Sequence, residues 1–243
     1  RIKKETSMGR HHEVRAAAMA KTGAMKSALY GRASREAYMA ARTGTPDPKT
    51  NLALRAVIDK YRGKSVPRDV FDRAIKKAQG GDAEVFIEGR YEFFGPANSY
   101  LIVDTLTDNE NRALVTVRTA VVKKGGHMGS VMYNFEQKGV ITLTSGNRDE
   151  IEENLIMSDV DVLAVEQDDE GYIDVYTTPE AFNQAKEVLN GMGISEFEEA
   201  EVKFVPNEYI DMPDEEHKNK FQELLDMLEE CEDVKAVHHN VNL

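Results

Sequence analysis

The chain has 243 residues, of which 41% are apolar, with no Trp and one cysteine, and it carries 31 Lys+Arg against 43 Asp+Glu. That length allows two or three domains, and no apolar run approaches the roughly 18 residues of a membrane span. Residues 1–81 hold 19 Lys+Arg and 7 Asp+Glu, a local net of +12, whereas residues 82–243 hold 12 and 36, a local net of −24. A basic module joined to an acidic body points to a polyanion partner for the first part and repulsion from that partner for the second.

Residues 1–7 have no apolar stretch and do not read as a signal peptide. They precede Met8 and read either as an added remnant or as part of a longer precursor. Glu13 to Arg42 reads as helix, with Gly23 and Gly31 as candidate breaks. Leu29, Ala33, Ala37 and Ala40 make its apolar stripe, and Lys26, Arg32, Arg35 and Arg42 are expected to face out. Asp47-Pro48 is expected to start the second helix, Asp47 as N-cap and Pro48 at the first position. Its stripe is Leu54, Val57, Ile58 and Tyr61. Pro67 opens a third helix closed by Gly80-Gly81. Val70, Phe71, Ala74, Ile75 and Ala78 face inward on it, and Arg68, Arg73, Lys76 and Lys77 outward. The three helices are expected to form a small bundle with a basic exterior.

After Gly81 the pattern turns to strand period. Tyr100 to Leu106 reads as strand, and Asn109 to Lys124 as helix with Leu114, Val117, Val121 and Val122 inward. Ser130 to Phe135 and Val140 to Leu143 are expected to be strands around a turn at Gln137-Lys138-Gly139. Asp149 to Ser158 reads as helix. Leu163 to Val165 and Tyr172 to Tyr176 read as a hairpin turning at Asp168-Asp169-Glu170-Gly171. Pro179 to Asn190 is helix, Glu199 to Val205 strand, Glu215 to Glu230 helix and Val234 to Val241 strand. The expected fold class is α+β, a helical start followed by two small α/β units of ferredoxin-like type.

Several segments carry a family resemblance. They are Met8-Gly9-Arg10, Glu36 to Arg42, Asp47 to Arg55, Val66 to Val70, Arg73 to Ala78, Arg90 to Pro96, Val103 to Arg112 and Val237 to Val241. Together the chain resembles the YebC family of bacteria and its mitochondrial relative, the translational activator of cytochrome oxidase subunit I. His11-His12, Phe93, Ala97 and a short loop over residues 125–130 depart from the family pattern. The resemblance implies a helical domain over 8–81, an α/β domain over 82–131 plus 206–243, and a second α/β domain inserted over 132–205. It implies no enzymatic activity. It implies a nucleic-acid-binding regulator, either a translation factor acting on ribosomes stalled at proline-rich stretches or a DNA-binding transcriptional regulator. It also implies a cytoplasmic location, or the mitochondrial matrix in a eukaryote.

The residues supply candidate contacts. Arg10, Lys21, Lys26, Arg32, Arg35, Arg42, Arg68, Arg73, Lys76, Lys77, Lys123 and Lys124 are expected to meet phosphates, through shape and backbone rather than a base code. Asn51 either caps its helix or reads a base. Gly126-His127-Met128-Gly129 matches a GxxG pattern. It reads as a helix C-cap or as a mobile loop that touches RNA. Phe93 and Phe94 are a turn into a strand or a stacking surface. His238 and His239, adjacent on a strand, point to opposite faces and cannot share a metal. The acidic neighbours of Cys231 are expected to raise its thiol pKa, against a nucleophile. No Gly-x-Ser-x-Gly, His-Glu-x-x-His or Rossmann fingerprint is present, so no enzyme is expected; the protein is expected to be a monomer without cofactor or metal. A third reading is an adaptor whose acidic body holds a basic protein.

Overall fold

The computed structural model describes residues 21–243. Arg10, His11-His12 and the start of the first predicted helix lie outside them. Helix α1 spans Gly23–Thr43, capped by Thr22, whose hydroxyl accepts the Met25 N–H at 3.1 Å. Lys21 and Thr22 are not helical, which corrects the reading of one helix continuing through them; Gly31 sits inside α1 without breaking it. Helix α2 spans Leu52–Arg62 and α3 spans Arg68–Ala78. The N-cap of α2 is Asn51 rather than Asp47. Its Oδ1 accepts the Leu54 N–H at 3.0 Å, and its amide donates to the Ala40 and Thr45 carbonyls at 2.9 and 2.7 Å. Asp47 instead closes a turn on the Lys49 N–H. Asn51 is buried, so it caps and reads no base.

Helices α1 and α3 pack on each other. The buried residues are Ala33, Ala37, Ala40 and Ala41 on α1 and Val70, Phe71, Ala74 and Ala78 on α3. Tyr38 is buried beside them, and its hydroxyl accepts the Glu84 N–H at 2.8 Å.

Strands β1 (Ile87–Phe94), β2 (Tyr100–Thr107), β3 (His127–Met128) and β9 (Val234–His239) form one antiparallel sheet in the order β3-β1-β2-β9. Helices α4 (Glu110–Lys123) and α7 (Glu215–Glu229) lie on one face of it. There Phe93, Leu101 and Val103 pack with Val117, Val121, Phe221, Leu224 and Leu228. The next residues along β1 and β2 point the other way, as strand alternation requires. Ile102 therefore packs with Val131 and Phe135, flanked by Phe94, Tyr100 and Phe204. Val122 is 54% exposed rather than inward, because the buried stripe of α4 runs through Ala113, Val117, Ala120 and Val121. The sequence pattern does not announce strand β1, because its apolar and polar residues alternate only weakly and most of it stays exposed or half-exposed.

The second sheet has strands β4 (Phe135–Leu143), β5 (Val162–Gln167), β6 (Ile173–Thr177) and β7 (Glu199–Pro206) in the order β5-β6-β4-β7. With α5 (Arg148–Met157) between β4 and β5 and α6 (Phe182–Gly191) between β6 and β7, this is the interleaved ferredoxin-like arrangement. Ser130 to Phe135 is not a strand but a short 3-10 turn over Met132–Asn134, and β4 runs unbroken through Gln137-Lys138-Gly139. Gly139 marks a close approach rather than a turn, since a Cβ there would collide with the Thr177 hydroxyl and the Phe182 side chain. The hairpin at Asp168 is as expected: Asp168 Oδ1 accepts the Glu170 and Tyr172 N–H groups, and Gly171 has φ +92°. The final strand ends at His239, and a short β10 (Val241–Asn242) pairs in parallel with β8 (Ile210–Asp211).

The described residues form two compact units. One comprises 59–65 and 137–203, and the other the remainder. Within the first, Lys186 and Asp59, both nearly buried, pair at 3.2 Å, and Arg62 donates to the Ser195 carbonyl at 3.1 Å, so the last turn of α2 belongs to this unit. No helix among the described residues is long and apolar enough to cross a membrane.

Candidate nucleic-acid interface

The cations divide into those committed to the fold and those presented to solvent. Helix α3 presents Arg68, Arg73, Lys76 and Lys77, all exposed. The spacing explains this, because its inward stripe takes residues 70, 71, 74 and 78. Arg73 pairs with Asp69 at 2.8 Å, Arg68 with Asp72 at 3.8 Å and Lys77 with Glu84 at 2.5 Å. These exposed pairs are worth little in water and are screened by salt, so a phosphate competes for the same guanidinium and ammonium groups. Lys26 on α1 is exposed and approaches the Tyr30 ring at 6.0 Å, and Lys21 lies 3.8 Å from Asp226.

Three arginines expected to face out do something else. Arg32 donates to the Ala28 carbonyl and, at 2.5 Å, to the Glu229 carbonyl at the end of α7, where cations complement the helix dipole. Arg42, though exposed, donates to the Ala78 and Gly80 carbonyls at 3.1 and 3.3 Å and so closes the C-terminus of α3. The side chain of Arg35 is turned inward and 14% exposed. It bonds the Leu106 carbonyl and Asp233, both at 2.9 Å, pairs with Glu232 at 3.0 Å and lies over the Phe86 ring. The outward placement of Arg32 and Arg35 is thereby corrected: partners on the α7–β9 end are within reach of that face of α1.

Asp233 is the centre of that network. It accepts from Arg35, from Arg112 Nε and Nη2 at 2.8 and 2.7 Å, and from the Thr107 hydroxyl at 2.8 Å. Burial pushes its carboxyl pKa up, but the hydrogen bonds from Arg112, Arg35 and Thr107 outweigh it and hold the group down at about 2. The same bonds, with Asp108, raise Arg112. Next to it the Cys231 thiol is raised in the expected direction, but chiefly by burial, with the Asp233 charge a smaller contribution.

A second basic point sits at the end of α4. Lys124 pairs with Glu223 and holds that carboxyl below its usual range. Lys220 pairs with Glu216 at 2.7 Å, and these four residues with Lys123 and Asn219 line an open cleft of about 300 Å³. Past Lys124 the chain forms a Schellman cap. Gly125, at φ +87°, donates to the Val122 carbonyl, and Gly126 donates to that of Val121. His127 and Met128 then form β3, paired with Phe94 and Phe93. A Cβ on Gly126 would collide with the Phe94 carbonyl, and one on Gly129 would stand 2.5 Å from the Phe94 ring. The GxxG stretch is thus a C-cap running into an edge strand, with both glycines wrapped around Phe94. His127 and Met128 are exposed. Phe93 is fully buried, so it offers no ring to a base.

Two family models match this chain. One, the TACO1/YebC protein N-terminal domain, covers residues 10–81, and the other, the TACO1/YebC second and third domain, covers residues 86–241. The chain belongs to the TACO1/YebC family. A family relative from Mesoplasma florum, named a probable transcriptional regulatory protein, is 47% identical over 239 residues, 97% of this chain and all of the relative. One of the same name from Mycoplasma capricolum is 45% identical over 238 residues, 97% of this chain and all of the relative. Among solved structures, a conserved hypothetical protein of Aquifex aeolicus matches with TM-score 0.75 at 33% identity, over 91% of this chain and 92% of that one. The exposed cations of α1 and α3 fall in the family's N-terminal domain, and Lys123 to Gly129 in the second match.

Sequence reasoning missed the Asp233 network and the pairing of His127 with Phe94. No local signal marked the network, since Asp233 stands 198 residues from Arg35 and 121 from Arg112. The clue to the pairing was the second aromatic of Phe93-Phe94, which alternation sends to the face opposite the core.

Proposed function

We propose that this protein is a non-enzymatic regulator of gene expression that docks on structured RNA through α1 and α3 and acts on the ribosome, relieving stalls at proline-rich stretches. The observation that carries the docking is the row Arg68, Arg73, Lys76 and Lys77 on the outer face of α3, inside a segment of net charge +12. Such a surface binds phosphates by releasing counterions and carries no base code. Asn51, the one candidate base reader, is buried in its cap. The acidic remainder, at net −24, is repelled by the same polyanion and leaves the basic helices as the favourable approach. The ribosomal site of action rests on family resemblance.

A second reading, a DNA-binding transcriptional regulator, is favoured by the names of the two curated relatives. Co-sedimentation with ribosomes at moderate salt, in competition with promoter and random duplexes, decides between them. Ribosome binding resistant to duplex competitor supports the first reading. A sequence-specific duplex affinity orders of magnitude above the non-specific one supports the second.

A further inference from the structure

The ring of His127 lies on that of Phe94 with centroids 5.2 Å apart and planes inclined by 21°, and Phe94 in turn meets Tyr100 edge-on at 5.7 Å. The three rings run side by side across β3, β1 and β2, from the sheet edge inward, on the face opposite α4 and α7. His127 is exposed while Phe94 is half-buried beneath it. Three local contacts set the placement. The cap at Gly125-Gly126 delivers the chain onto Phe94, β3 fixes the register, and a larger residue at 126 or 129 would push the chain off the ring. Immediately before the cap stand Lys123 and Lys124, on the cleft that Lys220 also lines.

A flat exposed ring backed by aromatics fits one ligand chemistry well: the face of an unpaired nucleobase. Every base has a π face, so such a platform accepts single strands with little sequence preference. We propose that His127, backed by Phe94, stacks on an unpaired base of single-stranded nucleic acid. This stacking site is separate from the α3 surface and deepens the proposed function, on whose nucleic-acid reading it rests.

The test uses the full chain and fluorescence anisotropy with a labelled single-stranded oligoadenylate and an abasic oligonucleotide of equal length. The native protein is expected to bind the base-bearing strand more tightly than the abasic one. His127→Ala is expected to weaken binding about 5- to 100-fold on the base-bearing strand, the range of alanine substitutions at stacking residues, and little on the abasic strand. His127→Phe is expected to restore binding, since it keeps the ring and drops the imidazole nitrogens. Circular dichroism melts show whether each variant is folded. Equal native affinity for both strands, or a folded His127→Ala variant that binds like the native protein, overturns the stacking site. If Arg73→Glu with Lys76→Glu and Lys77→Glu abolishes ribosome binding while His127→Ala changes nothing, this inference alone falls. If native protein binds neither ribosomes nor oligonucleotide, the proposed function falls with it.

Discussion

Replacing Asp233 by Asn removes the charge on which two arginines converge. The Asp233 carboxyl titrates at about 2, against a reference of 3.8. The difference corresponds to about 2 kcal/mol of folding stability at neutral pH. Loss of a fully buried charge partner costs about 3–5 kcal/mol. Here Arg112 remains half-exposed and keeps Asp108, and Arg35 keeps Glu232, so water and the remaining partners hold the cost near the lower figure. The sign follows from a depressed folded-state pKa. The stabilisation is complete above the unfolded value and is lost as pH falls from about 5 through 2. Urea denaturation at pH 7 followed by circular dichroism is expected to show Asp233→Asn less stable by about 2 kcal/mol, with the gap from native narrowing steadily toward pH 2. A variant as stable as native at pH 7, or a gap unchanged at low pH, would refute the argument that this carboxylate anchors α1 to the sheet.

Asn51→Ala removes the α2 cap and the bonds to two carbonyls of the preceding segment, and is expected to lower stability by about 1–2 kcal/mol in the same urea assay. Asn51→Asp, which keeps the accepting oxygen, should recover part of that loss. Ala97 stands at φ 54°, in the left-handed region. There Ala97→Gly is expected to raise stability by about 0.5 kcal/mol, whereas the same change at an ordinary helix or strand position costs about 0.5–1 kcal/mol. A thermal melt that moves down rather than up contradicts the strain at this turn.

The sequence made the helices and most of the inserted sheet legible, because their residues obey one period at a time. The stripe of α3 and the Asp168 turn could be read directly. The sheet built from β1, β2, β3 and β9 was harder. Strand β1 is half-exposed with a weak alternation, and β3 is two residues long, held by cross-strand pairing that no local pattern announces. Gly139 misled because glycine in a strand and glycine in a turn look alike until the neighbour, here Phe182, is known. The candidate interface was half legible. The exposed cations of α3 follow from its periodicity. The commitment of Arg32 and Arg35 could not be read, since their acceptors, Glu229 and Asp233, stand 197 and 198 residues further along the chain.

Docking depends on the cationic helices finding phosphate. Ribosome binding of the native chain and of Arg68→Gln, Arg73→Gln, Lys76→Gln and Lys77→Gln combined, measured across a salt series, tests this directly. The quadruple variant is expected to bind more weakly, with a salt slope shallower by about 0.7–0.9 for each phosphate that is no longer neutralised. Binding as tight and as salt-sensitive as native, in a variant with an unchanged melt, would contradict it.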